Sequence, residues 1–317
     1  MRTPSAPSSA DPSTLRLLLA FAAVYFIWGS TYLAIRFAIE TIPPLLMAGV
    51  RFVVAGGVLY AWARAHGAPR PTGRQWRDAA IAAALMLIGG NGAVVLAEQW
   101  VPSGLAALIV SAVPLWMVLL DWRWGSRSRP TRRVVVGLVA GFGGVALLAG
   151  SPGVGKGGVM EIIGAVLLLF GGAFWAAGSL FSRYAPRPQH PGVWVATQML
   201  TGGLMFMVIS AAVGDLGGLD LGAVSLKSML ALLYLIVFGA LVAYSAYVWL
   251  LVVSTPARAG TYAYVNPVVA MVLGWGLADE PVGPRSIVAA VIIVGSVVII
   301  TTESRGSRPP DLVRDSS

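Results

Sequence analysis

The chain has 317 residues, 57% hydrophobic and 11% charged, with 38 Gly, no Cys and two His. Soluble domains carry roughly 25% charged residues, so this amount of apolar surface excludes a soluble enzyme and points to membrane spans. Without Cys there is no disulfide, thiolate nucleophile or sulfur-ligated metal, and the net charge of +9 reads as a topology signal, with no nucleic-acid partner expected.

Apolar runs between polar punctuation predict ten transmembrane helices, over 15–38, 44–63, 78–99, 103–122, 133–150, 158–182, 191–213, 228–251, 256–277 and 284–302. The tails 1–14 and 303–317, rich in Ser, Pro, Arg and Asp, read as disordered. The first run follows Arg2 and Arg16 as a signal peptide does, but it continues unbroken through Trp28 and Tyr32 and is read as a retained span.

On the first helix Tyr25, Trp28, Tyr32 and Arg36 share one face. Arg51 lies inside the second, where an unpaired Arg at mid-span costs roughly 2.5–3.5 kcal/mol. Asn91 and Glu98 share a face of the third, and Glu98 is the expected ion-pair partner of Arg51; a role in proton coupling is the alternative. The sixth helix repeats the aromatic and polar face with Trp175, Ser179 and Ser182, and the eighth carries Tyr244 and Tyr247. The ninth carries Tyr262, Tyr264 and Asn266. Polar groups facing lipid are costly, so these point into the bundle or a wet cavity. A substrate cavity of Trp28, Tyr32, Asn91, Trp175, Tyr244, Tyr247, Tyr264 and Asn266 is expected, suited to amphipathic solutes; interfacial aromatic belts and interhelical hydrogen bonds are the alternative.

Pro114 and Pro267, in the fourth and ninth helices, each remove a backbone donor and free a carbonyl, at Val110 and Ala263. They read as hinges or as ordinary packing kinks. Gly137, Gly141 and Gly144 form a small-residue stripe for close helix packing. Residues 150–157, GSPGVGKG, approach a phosphate-binding loop but end in Gly157, without the hydroxyl for Mg²⁺ and without a preceding strand. No GxSxG, HExxH or paired core carboxylates occur, so neither an enzyme nor a cofactor is expected.

Seventeen Lys and Arg fall on the side of the two termini and four on the other, with Arg51 alone within a span. That asymmetry places both termini in the cytoplasm. A shift of 147 aligns Trp28 with Trp175, Arg36 with Arg183, Pro44 with Pro191 and Gly56 with Gly203, and sets Arg51 on Gln198; Pro114 and Pro267 match at 153. The chain therefore reads as two five-helix repeats, 15–150 and 158–302, inserted with opposite orientation because five is odd, an architecture of secondary transporters.

Three stretches, WGSTYLAIRFAIETIPPLLMAGVRF (28–52), GGNGAVVLAEQWVPSGLAALIVSAVP (89–114) and TYAYVNPVVAMVLGWGLADEP (261–281), resemble the EamA-type branch of the drug/metabolite transporter superfamily, and within it the YedA-like exporters. The resemblance implies a two-repeat bundle around a central cavity and export of small metabolites or drugs. By position it implies cavity or gating roles for Trp28, Asn91, Tyr264 and Asn266, and it matches Glu280 to an acidic residue after the ninth helix; the region after the fourth is basic, with Arg123 and Arg127. The expectation is an exporter in the cell (inner) membrane working by alternating access, with a passive facilitator or channel as the alternative. Its partners are a small-molecule substrate and the lipid bilayer; whether two copies form a homodimer is left open.

Overall fold

A computed structural model of the chain describes residues 13–101, 103–126, 129–149, 158–188, 190–215, 220–278 and 284–303. Its regular elements are helices, and no strand occurs among the described residues. Helix α1 spans Thr14–Ala38, its first turn capped by the Ser13 side chain, which accepts from the Arg16 amide. Helix α2, Pro44–Ala65, begins on a proline whose missing N–H costs nothing at that position. The chain then turns through Gly67 at φ 82°, in the left-handed region that glycine enters without penalty.

Helix α3, Gly73–Ala97, starts five residues before the apolar run. Thr72 and Gln75 form a capping box, the hydroxyl accepting from the Gln75 amide and the Gln75 side chain from the Thr72 amide. The charged first turn is thereby helical although it is not apolar.

The expected fourth and ninth helices are both broken. The fourth divides into α4, Ser103–Val110, and α5, Val113–Trp124, with Pro114 in the first turn of α5. After α6, Arg132–Ala149, α7, Gly158–Tyr184, α8, Pro191–Ala212, and α9, Leu226–Val253, the ninth divides into α10, Pro256–Gly260, and α11, Tyr262–Ala278. Pro267 stays inside α11, one and a half turns beyond the break. Helix α12 is Pro284–Glu303. The tails up to residue 12 and from 304, the 150–157 loop and Glu280 lie outside the described residues.

Among the described residues six helices, α1, α2, α3, α7, α8 and α9, are long and apolar enough to cross a membrane. Their outer faces carry exposed Leu18, Leu19, Phe26, Val58, Phe170 and Val208, while Arg51, Ser179, Gln198 and Asn266 are buried. Water would penalise that distribution; hydrocarbon accepts it, because apolar side chains outside and satisfied backbone inside are what lipid requires.

Close approach of small residues governs how the helices pack. Helix α2 lies against α8, where a Cβ on Gly203 would sit 2.6 Å from the Val53 backbone nitrogen and one on Gly56 2.8 Å from that of Leu200. Helix α6 lies against α12, and its glycine stripe is the contact surface: Gly137 meets Ile300 and Gly144 meets Ile293. Helix α1 packs on α9 and α11, and α7 packs on α3, α4 and α5. At the end of α9, Arg183 of α7 donates to the carbonyls of Leu251 and Ser254, which have no acceptor role left within the helix.

Candidate functional site

A cavity of about 70 Å³ opens where α1, α2, α3, α7, α9 and α11 meet. Trp28, Tyr32, Arg51, Asn91, Trp175, Tyr244, Tyr262 and Asn266 are on its wall. All but Tyr262, the first residue of α11, lie in the interior of their helices, where an ordinary span carries no polar group.

An aromatic cluster closes one side. The Trp28 ring centroid is 5.5 Å from that of Trp175, 5.0 Å from Tyr247 and 4.9 Å from Tyr262. Tyr247 lies 5.5 Å from Trp175 and 5.4 Å from Tyr262. The tilted and edge-on angles set ring hydrogens against ring faces, the favoured electrostatic arrangement.

Hydrogen bonds lock these rings. Trp28 Nε1 donates to the Gly239 carbonyl at 3.2 Å, and Trp175 Nε1 to the Tyr247 hydroxyl at 3.1 Å, which is also 2.7 Å from Ser179 Oγ. Tyr244 donates to Gln198 Oε1 at 2.8 Å, while Gln198 Nε2 and Trp194 Nε1 both donate to Ser182 Oγ. Behind them the Tyr25 hydroxyl lies 2.6 Å from Thr261 Oγ1, at the break before α11.

Two local backbone features aim the polar groups. Helix α3 widens into π-helical turns over Ala84–Asn91 and α9 over Leu235–Tyr244. Such turns take an extra residue into the helix and rotate the side chains that follow. They end at Asn91 and Tyr244, which are separated by the same 153 positions as Pro114 and Pro267 and both face the cavity. Gly90 and Gly239 permit the close approach of Trp175 and Arg51 respectively.

Of the expected cavity residues, Trp28, Tyr32, Asn91, Trp175, Tyr244 and Asn266 line it, and Tyr247 backs it through the aromatic cluster. Tyr264 does not join them. It is buried with Val134, Leu138, Ile293 and Ile300, and its hydroxyl donates to the Leu138 carbonyl at 3.3 Å. The reason is rotation: two residues from Tyr262 is about 200° around a helix, so the two rings face opposite ways. Tyr262 takes the cavity position instead, and its spacing of four from Asn266 was the available signal.

Arg51 and Glu98 do not pair. Neither Glu98 oxygen has a hydrogen-bond partner, nor do Nε and Nη1 of Arg51. Similar depth in the membrane did not bring the two residues together, since depth leaves the direction around each helix unspecified. The guanidinium instead lies 4.7 Å from the Phe52 ring centroid, on the cavity wall.

The cavity therefore offers ring faces, one guanidinium and the side-chain oxygens of Asn91 and Asn266, which are buried without a partner. No group of three or more His, Cys, Asp or Glu that could hold a metal occurs among the described residues. Chemically, such a lining can take up a small solute with both apolar and polar groups.

The EamA-like transporter family matches the chain over residues 15–150 and again over 162–302. An uncharacterized inner membrane transporter, YedA, of Escherichia coli (strain K12) is 40% identical over 296 residues, covering 90% of this chain and 91% of that protein. An uncharacterized transporter of Bacillus subtilis (strain 168), YvbV, is 25% identical and covers 92% and 93%. The protein PecM of Dickeya dadantii (strain 3937) is 26% identical, covering 89% and 91%. A protein of known crystal structure shares the fold with a TM-score of 0.73 at 19% identity, covering 92% of this chain and 98% of its own.

Proposed function

The chain belongs to the EamA-like transporter family, and from that premise we propose that it is a secondary transporter exporting a small metabolite or drug across the inner membrane by alternating access. The observation that carries the reading is the cavity, whose walls come from both halves of the chain and whose polar groups lie at mid-span.

Two inverted five-helix repeats, helices α1 to α6 and α7 to α12, provide the moving parts, with the broken α4/α5 and α10/α11 each counted as one crossing. The family matches each half separately, which supports the duplication. So does the packing. Helices in equivalent positions lie against each other, α2 with α8 and α6 with α12. The first helix of each half packs on the third and fourth crossings of the other half. A two-fold relation between the halves produces this exchange, and it allows one conformation and its inverted counterpart to have similar energy. The breaks before Pro114 and at Thr261 each interrupt the fourth crossing of their half and serve as hinges. With the Arg-rich helix ends facing the cytoplasm, both termini are cytoplasmic.

The test is counterflow in proteoliposomes combined with a metabolite-efflux screen. A carrier is accelerated by substrate on the trans side, whereas a channel is not. Trp28→Ala and Asn266→Ala are expected to abolish efflux while reaching the membrane at the normal level. Unchanged efflux in both variants removes the cavity from the pathway, and absence of trans-acceleration favours the channel.

A further inference from the structure

Arg51 is 3% exposed, yet no carboxylate among the described residues pairs with it, and its Nε and Nη1 lack hydrogen-bond partners. Its neighbours are the Phe52 ring and the open face of Gly239, where a Cβ would come within 3.2 Å of Nη2. The matching position in the second half shows the contrast. Gln198 is also buried, but its oxygen accepts from Tyr244 and its nitrogen donates to Ser182. One half satisfies its polar side chain internally, and the other leaves a charge facing a cavity.

A lone buried cation is tolerated where something else brings the compensating charge. Across the same cavity, Asn91 Oδ1 and Asn266 Oδ1 are buried acceptors without donors. The unmet requirements are thus complementary, an anion at one wall and hydrogen-bond donors at the others. A guanidinium presents a planar fork of N–H groups, which matches a carboxylate in geometry and in charge. A phosphate dianion would leave one negative charge uncompensated by a single Arg. At about 70 Å³ the cavity holds a small solute, on the order of five water-sized groups.

We propose that Arg51 is the anion-recognising residue of this cavity and that the transported solute is a small organic acid, its carboxylate on Arg51 and a hydroxyl or amino group on Asn91 and Asn266. Trp28, Trp175 and Tyr262 would cover its apolar body. This assignment of substrate class rests on the cavity being the transport site.

The experiment uses the full chain, purified into nanodiscs or proteoliposomes. The probes are 2-hydroxybutanoate, 2-aminobutanoate and butanoate, set against the carboxylate-free analogues 1,2-butanediol and 2-amino-1-butanol. Thermal unfolding and tryptophan fluorescence report binding, and counterflow reports transport. Expected results are stabilisation by the hydroxy or amino acid, a weaker effect of butanoate, and none from the analogues. Arg51→Gln, which copies the second half, should weaken acid binding at least tenfold while unfolding, without ligand, at the same or a higher temperature. A structural Arg would instead lower that temperature and leave binding unchanged. Equal binding of acids and analogues, failure of every acid, or binding indifferent to Arg51→Gln overturns the proposal. Counterflow of a neutral solute with any of these outcomes leaves the transport reading standing, whereas no counterflow of any solute removes that reading too.

Discussion

Replacing Gly203 with Ala adds one methyl group at the tightest point of the α2–α8 crossing. The new Cβ would stand 2.6 Å from the Val53 nitrogen, 2.8 Å from Val53 Cγ2 and 3.0 Å from the Phe52 carbonyl carbon. Comfortable carbon contacts lie near 3.5–4.0 Å, and two of these neighbours are backbone, so no side-chain rotation relieves the clash and the helices must separate by about 1 Å. Overpacking of this kind costs about 1–3 kcal/mol. Against it stands the better helix propensity of Ala, worth up to about 1 kcal/mol. Gly57 supplies the control, because a Cβ there meets nothing within 4 Å. Gly57→Ala therefore gains the propensity term alone, and the two variants should differ by the whole packing cost, about 1–3 kcal/mol. Thermal unfolding of both purified variants, followed by size-exclusion chromatography with fluorescence detection, measures the difference. Equal melting temperatures would refute the claim that close backbone approach holds α2 to α8. Because α2 carries Arg51 and α8 carries Gln198, the same variant should also weaken solute binding.

Two further perturbations separate buried from exposed polar contacts. Tyr244→Phe removes the donor to Gln198 Oε1 at 2.8 Å and leaves a buried acceptor unmet, at a cost of about 1 kcal/mol given how modest such bonds are in membranes; a melting temperature equal to wild type would show that the bond contributes nothing. Lys227 and Glu40 meet at 2.6 Å but keep 50% and 44% side-chain exposure, so Lys227→Ala should change stability by no more than about 1 kcal/mol. A larger loss in the same unfolding assay would mean that this contact holds the end of α1 to the start of α9.

Much of the helical layout can be read from hydropathy and punctuation. The start of α2 at Pro44 and of α8 at Pro191 coincide with expectation. Helix α3 begins early because Thr72 and Gln75 cap a charged turn, a signal carried by two polar residues and invisible to an apolar-run reading. Pro114 and Pro267 lie in the two interrupted crossings, and the breaks fall upstream of both, at residues 111–112 and at Thr261. Before Pro114 the cause is local, since a proline disfavours helical geometry in the preceding residue and frees the Val110 carbonyl a turn earlier. The break at Thr261 lies beyond the reach of Pro267, whose freed carbonyl is that of Ala263. Of the site, Trp28, Tyr32, Asn91, Trp175, Tyr244 and Asn266 were legible as polar or aromatic interruptions of apolar runs. Arg51 was legible as a problem, a charge in a span, but its surroundings were not.

Composition and order alone determined the solvent and the helical class, and they suggested an internal duplication. Each depends on quantities a chain carries along its length: the amount of apolar surface, the spacing of breaks and the recurrence of Trp, Pro and Gly at a constant shift. Tertiary structure decided which way each helix faces. It turned Tyr262 to the cavity and Tyr264 to α6 and α12, left Glu98 buried without a hydrogen-bond partner, and left Arg51 on the cavity wall. In water an apolar stripe would have announced the buried face; lipid makes no distinction between one apolar face and another, so orientation is settled by close approach at glycines and by hydrogen bonds between helices distant in sequence.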